Sequence, residues 1–368
     1  MKKFFIIIIP ILILFSCKNN EKKEKDFLVK GYITGYFEGK VVLSKYDDGH
    51  LVPIDSVWMT KNQFKFKHVK VNTPELYYII VDDGEIIIEF FMEQNDIQIN
   101  ADYNTKENLE VEGSKTHDEY VSFLENNVVF ENKQSRIYEQ KELAMSNNDT
   151  SLLSQLEKEY ASVADEQISF IKKYVNENNN SFVSVFIASR SLADYLDLNE
   201  LEKLKDNFTD TIKSSIYFKE LQDKIAVRKR TQIGMQAPDF TLADTSGNNI
   251  SLSSLQGKYV LLDFAASWHG ISRSRNHELN KIYKKYNKKG FEILQVSFER
   301  NMKQWKNVLD ADNVKWICVS DIKALDSDII KLYGIRKLPT NFLLDKQGKI
   351  IYSNLSPEKL NEVLKNLL

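Results

Sequence analysis

The side chains best placed to take part in a reaction lie where an apolar run, Tyr259–Phe264, meets a predicted helix. His269 and Ser272 stand three residues apart at the start of that helix, and Asp263 precedes His269 by six residues. A serine, a histidine and an aspartate are the groups that a nucleophilic hydrolase uses. Ser272, however, lacks the Gly-x-Ser-x-Gly turn that would present it as a nucleophile. We therefore expect His269 to face solvent without a catalytic role.

A metal site has little support in the sequence. The nearest other histidine, His277, lies eight residues after His269, which is roughly 12 Å along a helix. This separation is too large for the two rings to bind one ion. We predict neither a metal nor a cofactor.

The chain has two cysteines, Cys17 and Cys318. Cys318 lies in an apolar run, Val314–Val319, that is typical of a buried strand, where cysteine behaves as a small inert apolar residue. A redox role for Cys318 is the alternative. If the Cys17 thiol is lipidated, one thiol remains. A single thiol can neither form an internal disulfide nor support an internal dithiol-disulfide cycle.

The N-terminus has the pattern of an export signal. Lys2 and Lys3 precede an apolar run of 12 residues, Phe4–Phe15, which is short for a membrane-spanning helix of roughly 20 residues. Ser16 and Cys17 resemble a bacterial lipobox, so we predict a lipoprotein signal peptide over 1–16 and a lipidated Cys17 at the start of a solvated tether over 17–26. An uncleaved anchor helix is the alternative.

Composition favours a globular protein of several domains. The 368 residues are 42% apolar and 28% charged, and this length suggests two or three domains. The net charge of −2 becomes −4 once the two lysines within residues 1–16 are removed. Such a chain has no basic excess for binding nucleic acid.

The spacing of apolar residues changes along the chain and divides it into three regions. From 27 to 112, short alternating runs and the turn Asp82-Asp83-Gly84 predict an antiparallel β-sandwich, with His50 and His68 on its surface. From 113 to 231, spacings of three and four predict helices. From 232 to 368, strands alternate with helices, as in an α/β domain.

The α/β region resembles a known family in ordered detail. Ile233-Gly234, Ala237-Pro238-Asp239-Phe240, Tyr259–Phe264 and Leu338-Pro339-Thr340 match, in order, the TlpA- and ResA-like thioredoxins of the AhpC/TSA superfamily. The β and helical regions resemble the domains that precede such modules in envelope lipoproteins. The resemblance therefore implies a multidomain protein with a C-terminal thioredoxin-like domain.

The same resemblance shows what this chain lacks. Thioredoxin chemistry needs a thiolate at a helix N-terminus and a second thiol three residues on, and His269 and Ser272 occupy those positions. Ile271 replaces the intervening proline, and Arg275 replaces an acidic residue of the helix. Asp263 matches the family's buried acid, and we expect it to be structural or to pair with Ser272 or His269.

Family resemblance also implies a binding groove. Pro339 would be cis and would face the active-site loop, where it exposes the backbone of Leu338 to an extended polypeptide; the alternative is that the turn serves folding alone. We predict a binding surface on the loop and on this turn, comprising Trp268, His269, Gly270, Ile271, Ser272, Leu338 and Pro339. Arg273 and Arg275 would favour an anion at the helix N-terminus as a further ligand.

Together these observations predict a thioredoxin-like lipoprotein of the cell envelope that has lost its redox site. It would be anchored through Cys17, face the periplasm from the outer membrane, and bind a polypeptide or an envelope protein. The alternative is a TlpA-type thiol-disulfide oxidoreductase that uses Cys318 with an external thiol.

Overall fold

The computed structural model describes residues 26–47, 49–105 and 109–368. The predicted signal peptide, Cys17 and the tether up to residue 25 lie outside the described residues. Among the helices that are described, none combines the length and the apolar character needed to cross a membrane.

The first domain is one eight-stranded sheet with its own apolar core. Its strands are β1 Phe27–Thr34, β2 Glu38–Asp47, β3 His50–Thr60, β4 Gln63–Val69, β5 Glu75–Val81, β6 Ile86–Met92, β7 Ile97–Asp102 and β8 Glu110–Glu112. They lie in the order β6-β5-β2-β3-β4-β1-β7-β8. The predicted strand-rich domain is confirmed, but β1 and β7 pair in parallel, so the sheet is not wholly antiparallel.

Alternation along β1 shows how the sequence forms this sheet. Val29, Gly31 and Ile33 are buried, whereas Lys30 and Tyr32 are exposed, as expected when successive side chains point to opposite faces. The predicted turn is a short 3-10 turn between β5 and β6.

Five helices form the middle segment: α1 Lys115–Ser146, α2 Thr150–Glu177, α3 Phe182–Ile187, α4 Leu198–Asn207 and α5 Ile216–Arg230. A π-helical turn, Ala188–Leu192, follows α3. The Glu93 carboxylate accepts hydrogen bonds from the first backbone N–H groups of α1, at Lys115 (3.0 Å) and Thr116 (3.2 Å). A carboxylate is favourable there because it satisfies donors that no helical carbonyl reaches and because it meets the positive end of the helix dipole.

The C-terminal domain is a seven-stranded mixed sheet with helices on both faces. Its strands are β9 Thr241–Asp244, β10 Asn249–Ser251, β11 Tyr259–Ala265, β12 Phe291–Ser297, β13 Ile317–Ser320, β14 Thr340–Leu344 and β15 Ile350–Ser353. They lie in the order β10-β9-β13-β12-β11-β14-β15. The helices are α6 Gly270–Tyr286, α7 Met302–Ala311, α8 Asp328–Tyr333 and α9 Pro357–Leu367.

β11 lies at the centre of this sheet and contributes to both faces. Leu262 and Phe264 belong to the core shared with α8, whereas Leu261 belongs to the core shared with α6, α7 and α9. Because Asp263 has the same parity as Leu261, its side chain also points to the α6 face. The strand therefore directs one carboxylate toward the helix that follows the loop.

Contacts divide the chain into two compact units between Glu125 and Asn126. The helices from Asn126 on thus group with the α/β domain. Within this unit, the Arg230 side chain donates to the carbonyl oxygens of Leu332 and Lys331, both at 2.9 Å. The predicted multidomain arrangement of strands, helices and an α/β domain is confirmed.

Candidate functional site

The candidate site lies where β11 ends and α6 begins. β11 pairs with β14 in antiparallel fashion, with Phe264 opposite Thr340, so the end of β11 and the start of β14 lie at the same edge of the sheet. The Leu338–Pro339 peptide bond that precedes β14 is cis. The topology thus brings the loop after β11 close to the Leu338–Pro339 turn.

His269 is the N-cap of α6. Its Nδ1 accepts a hydrogen bond from the Ser272 backbone N–H (3.3 Å) and lies 3.1 Å from the Ser272 hydroxyl oxygen. Since a backbone N–H can only donate, Nδ1 carries no proton and the ring is the Nε2–H tautomer. The expectation of a solvent-facing ring was wrong in part, because His269 is half-buried and satisfies helix donors, the role of a capping residue.

The other loop residues are anchored by the end of β12 and the residues just after it. The Trp268 Nε1–H donates to the Phe298 carbonyl oxygen at 2.8 Å, while 56% of Trp268 remains exposed. Buried Glu299 accepts hydrogen bonds from the Ser267 N–H, the Ser267 hydroxyl and the Ser297 hydroxyl, each at 2.6 Å. The loop is therefore held in one conformation by a buried acid.

Sequence analysis did not identify Glu299. The signal for it was an acidic residue directly after the predicted buried strand Phe291–Phe298, at the same edge of the sheet as His269. In a parallel pair of strands, such as β11 and β12, residues that follow the carboxyl ends lie together.

A groove of about 220 Å³ separates the loop from the Leu338 turn. Six of its nine lining residues are apolar: Trp268, Phe298, Leu325, Ile330, Ile335 and Leu338. His269, Arg336 and Lys337 complete the lining. Arg336 forms an ion pair with Asp194. Since Arg336 is paired, the other polar groups of this largely apolar surface are the Lys337 ammonium and the half-buried imidazole of His269.

Predicted site residues fall into two groups. Trp268, His269 and Leu338 line the groove together. Ile271 is 66% exposed and Gly270 is exposed, but neither lines that groove. Ser272 is 3% exposed and faces the interior behind the loop.

Asp263 is buried, but its partners are neither Ser272 nor His269. The Arg275 guanidinium forms an ion pair with one carboxylate oxygen, and the Gln295 amide donates to the other at 2.9 Å. The hypothesis that Asp263 joins the loop residues is therefore wrong. A buried carboxylate needs a compensating charge, and Arg275, one turn into α6, provides it on the face to which β11 directs Asp263.

Nor do the two arginines form an anion site at the helix N-terminus. Arg275 is committed to Asp263, and Arg273 forms a bidentate pair with Asp312, with N–O distances of 3.2 and 2.7 Å. Both guanidinium groups are therefore paired with carboxylates away from the groove. The arginines give no support to the expected anion ligand.

Cys318 lies in β13 and is 6% exposed. Its thiol is 3.6 Å from the Gln295 side-chain oxygen. Burial, with a smaller contribution from the charges of Asp263 and Glu299, raises the pKa of the Cys318 thiol. A buried thiol with a raised pKa provides little thiolate, which is the reactive form.

Metal binding was not expected at the loop. Across residues 26–47, 49–105 and 109–368, no group of three or more His, Cys, Asp or Glu side chains has the arrangement of a metal site. The polar groups around the loop are instead occupied by hydrogen bonds to one another, as described for His269 and Glu299.

Comparison with known proteins shows which families the chain resembles. The AhpC/TSA family matches residues 233–353, and a "Domain of unknown function (DUF4369)" matches residues 27–120. The "Thiol-disulfide oxidoreductase ResA" of Bacillus cereus is 31% identical over 159 residues, which cover 42% of this chain and 90% of that protein. The chain belongs to the ResA-like thiol-disulfide oxidoreductase family.

Further proteins are similar to part of this chain. The "Thioredoxin-like protein YneN" of Bacillus subtilis is 34% identical over 122 residues, 32% of this chain and 69% of that protein. Among solved structures, the C-terminal domain of a putative thiol-disulfide oxidoreductase from Bacteroides thetaiotaomicron is 39% identical, covering 37% of this chain and 96% of that chain with a TM-score of 0.36. The AhpC/TSA match over residues 233–353 lies in the α/β domain, in which the loop after β11 carries His269 and Ser272.

Proposed function

We propose that this chain is a ResA-like protein of the cell envelope that has lost dithiol redox chemistry and binds an extended polypeptide segment of an envelope partner. The groove between the loop and the Leu338 turn is the proposed binding surface. The single observation that carries the proposal is that a mostly apolar groove adjoins a loop whose two redox positions hold a histidine and a serine.

Loss of dithiol chemistry is supported by the residues of the loop. Disulfide exchange requires a thiolate that attacks and a second sulfur that resolves the mixed disulfide. His269 and Ser272 provide neither, and both are already committed to the helix cap. The remaining thiol of the α/β domain, Cys318, is buried in the sheet.

Polypeptide binding is supported by the chemistry of the groove. Apolar walls formed by Trp268, Leu325 and Leu338 suit an apolar side chain of an extended segment. Trp268 is a favourable anchor because it is large and half-exposed. Its side chain is already held by one hydrogen bond, so that it loses little conformational entropy when a partner binds. A preformed loop therefore favours recognition.

Membrane anchoring rests on the sequence before the described residues. Lys2, Lys3, the apolar run Phe4–Phe15 and the Ser16-Cys17 pair form the predicted lipoprotein signal. Acyl chains on Cys17 would hold the mature protein at the membrane, and the outer membrane is the proposed site.

Site-specific photo-crosslinking in intact cells tests the binding proposal. A photoreactive phenylalanine analogue is placed at Leu325, a groove residue that is 56% exposed, and at Met145, a residue of α1 that is 53% exposed. We expect a discrete protein adduct from Leu325 and none from Met145, and the adduct should weaken when Trp268→Ala is added. Equal adducts from both positions, or none from Leu325, would contradict a binding groove.

A further inference from the structure

A second, internal cavity lies behind the N-terminus of α6. Its volume, measured as the space open to the centre of a water molecule, is about 10 Å³, and its lining includes Ser272, Asn276 and Trp305. None of its lining residues lines the groove. It is thus a separate feature, lined by residues of α6, α7, β12 and the loop after β11.

Asn276, one of the lining residues, has an unpaired acceptor. Its Nδ2 donates to an Asp312 carboxylate oxygen at 3.0 Å, and since a carboxylate can only accept, the amide orientation is fixed. Its Oδ1 is buried and has no hydrogen-bond partner among the described residues. Asn276 is 6% exposed, so bulk water does not satisfy this oxygen.

Trp305 contributes the complementary group. The residue is fully buried, and its Nε1–H, which can only donate, has no partner within the described part of the chain. A buried donor without a partner costs free energy comparable to a lost hydrogen bond. The lining of one cavity therefore includes one residue with an unpaired donor and one residue with an unpaired acceptor.

Ser272 provides a second acceptor. Because the His269 Nδ1 already accepts from the Ser272 backbone N–H, the Ser272 hydroxyl can only donate to it. The lone pairs of the hydroxyl oxygen then remain available, and Ser272 is one of the residues that line the cavity.

We propose that this cavity binds one ordered water molecule. The water accepts from the Trp305 Nε1–H and donates to Asn276 Oδ1 and Ser272 Oγ, which uses both of its protons. The volume is at the lower limit of about 10–15 Å³ for one water and excludes a larger ligand, and three hydrogen bonds are typical of a buried water. This water joins α7 to the first turn of α6 and so helps to position the helix start that His269 caps.

A crystal structure of the protein, at a resolution that shows ordered water, tests the proposal directly. We expect a density peak about 2.7–3.2 Å from Trp305 Nε1, Asn276 Oδ1 and Ser272 Oγ. The peak should be absent in Trp305→Phe, which removes the indole N–H donor and keeps a smaller aromatic ring. A cavity without a peak, or a Trp305 Nε1 that donates to a protein oxygen instead, would overturn the proposal.

Thermal unfolding gives an independent test with a matched control. Trp316 is also buried, and its Nε1 likewise lacks a hydrogen-bond partner among the described residues, but Trp316 does not line the cavity. We expect Trp305→Phe to lower the Tm by about 2–4 °C more than Trp316→Phe, because only Trp305 loses a hydrogen bond. Equal changes in the two variants would contradict the water site.

Discussion

Two regions of one strand-loop-helix unit, the interior of β11 and the loop that opens α6, differ in the chemistry of their residues. Asp263, inside β11, is 1% exposed and is held by Arg275 and Gln295. Six residues later, His269 caps α6 by accepting a hydrogen bond from the Ser272 backbone N–H. The interior position holds an acid with a cationic partner, whereas the loop positions hold a histidine and a serine that stabilise the helix start.

The difference shows that fold and chemistry rest on different residues. A buried charge that loses its partner is destabilising, so Asp263 requires Arg275 whether or not a thiol is present. A helix N-cap requires a side-chain acceptor, and His269 provides one as a neutral ring. The residues that stabilise the helix start are therefore compatible with a site that carries no thiol.

Breaking the interior pair should have the largest effect on stability. Arg275→Leu leaves the buried Asp263 carboxylate without its cation, and we expect it to lower the free energy of unfolding by about 3–5 kcal/mol. Chemical denaturation of the purified protein measures this change. Arg273→Leu is the matched control, since its pair with Asp312 is 42% exposed on the arginine side, and a small effect is expected.

A large effect in Arg273→Leu together with a small effect in Arg275→Leu would contradict the assignment of the interior pair. Asp263→Leu combined with Arg275→Leu removes both charges. It should be less destabilising than Arg275→Leu alone, because no unpaired charge then stays buried.

Glu299 supports the loop, and its replacement should have the next largest effect. Glu299→Gln exchanges one acceptor oxygen for an NH₂ group that faces the donors of Ser267 or Ser297. We expect a loss of about 1–3 kcal/mol in the free energy of unfolding. A stability equal to that of the wild type would show that these serine hydrogen bonds do not hold the loop.

His117, a buried residue of the first compact unit, should make the stability of that unit depend on pH. Its Nδ1 has no hydrogen-bond partner among the described residues, and burial lowers the pKa of the ring below its usual value, against a smaller opposing influence of Asp118. The unfolded chain therefore binds a proton at a higher pH than the folded chain. The contribution of His117 to stability is complete above about pH 6.5 and is lost as the pH falls below that value, with a slope of at most about 1.4 kcal/mol per pH unit.

Urea denaturation between pH 7 and pH 5, monitored on the first unit, checks this prediction. His117→Phe should remove part of the pH dependence of the free energy of unfolding. An unchanged pH profile in His117→Phe would contradict the prediction.

Trp268 should matter least for stability. Trp268→Phe removes the hydrogen bond to the Phe298 carbonyl from a half-exposed residue, so we expect a change of about 0.5–1.5 kcal/mol in the free energy of unfolding. Thermal denaturation measures this change. A larger loss would mean that Trp268 is mainly a structural residue and would weaken its assignment to the groove.

Much of the α/β fold was predictable because buried strands leave an apolar signal. Tyr259–Phe264 is β11 within one residue, and Phe291–Phe298 contains β12. β3 leaves a weaker signal in the sequence. Only Met59 of its eleven residues is buried, and Pro53 interrupts its apolar residues, so the alternation that marks a half-buried strand is weak.

The site was predictable in outline but not in its pairings. The sequence placed His269 and Ser272 at a helix start and Pro339 beside them. It could not assign Arg275 to Asp263, because that pair depends on which face of β11 meets which turn of α6. For the same reason, Arg273 was expected near an anion, whereas the structure pairs it with Asp312 of the segment after α7.

Reduction of insulin disulfides tests the central claim, that the fold is retained and dithiol chemistry is lost. We predict that the wild-type protein reduces insulin no faster than a protein-free control. The double variant His269→Cys/Ser272→Cys, which restores two thiols three residues apart at the α6 N-terminus, should gain turnover. Wild-type turnover that Cys318→Ser abolishes would contradict the account and would support an oxidoreductase that works through Cys318.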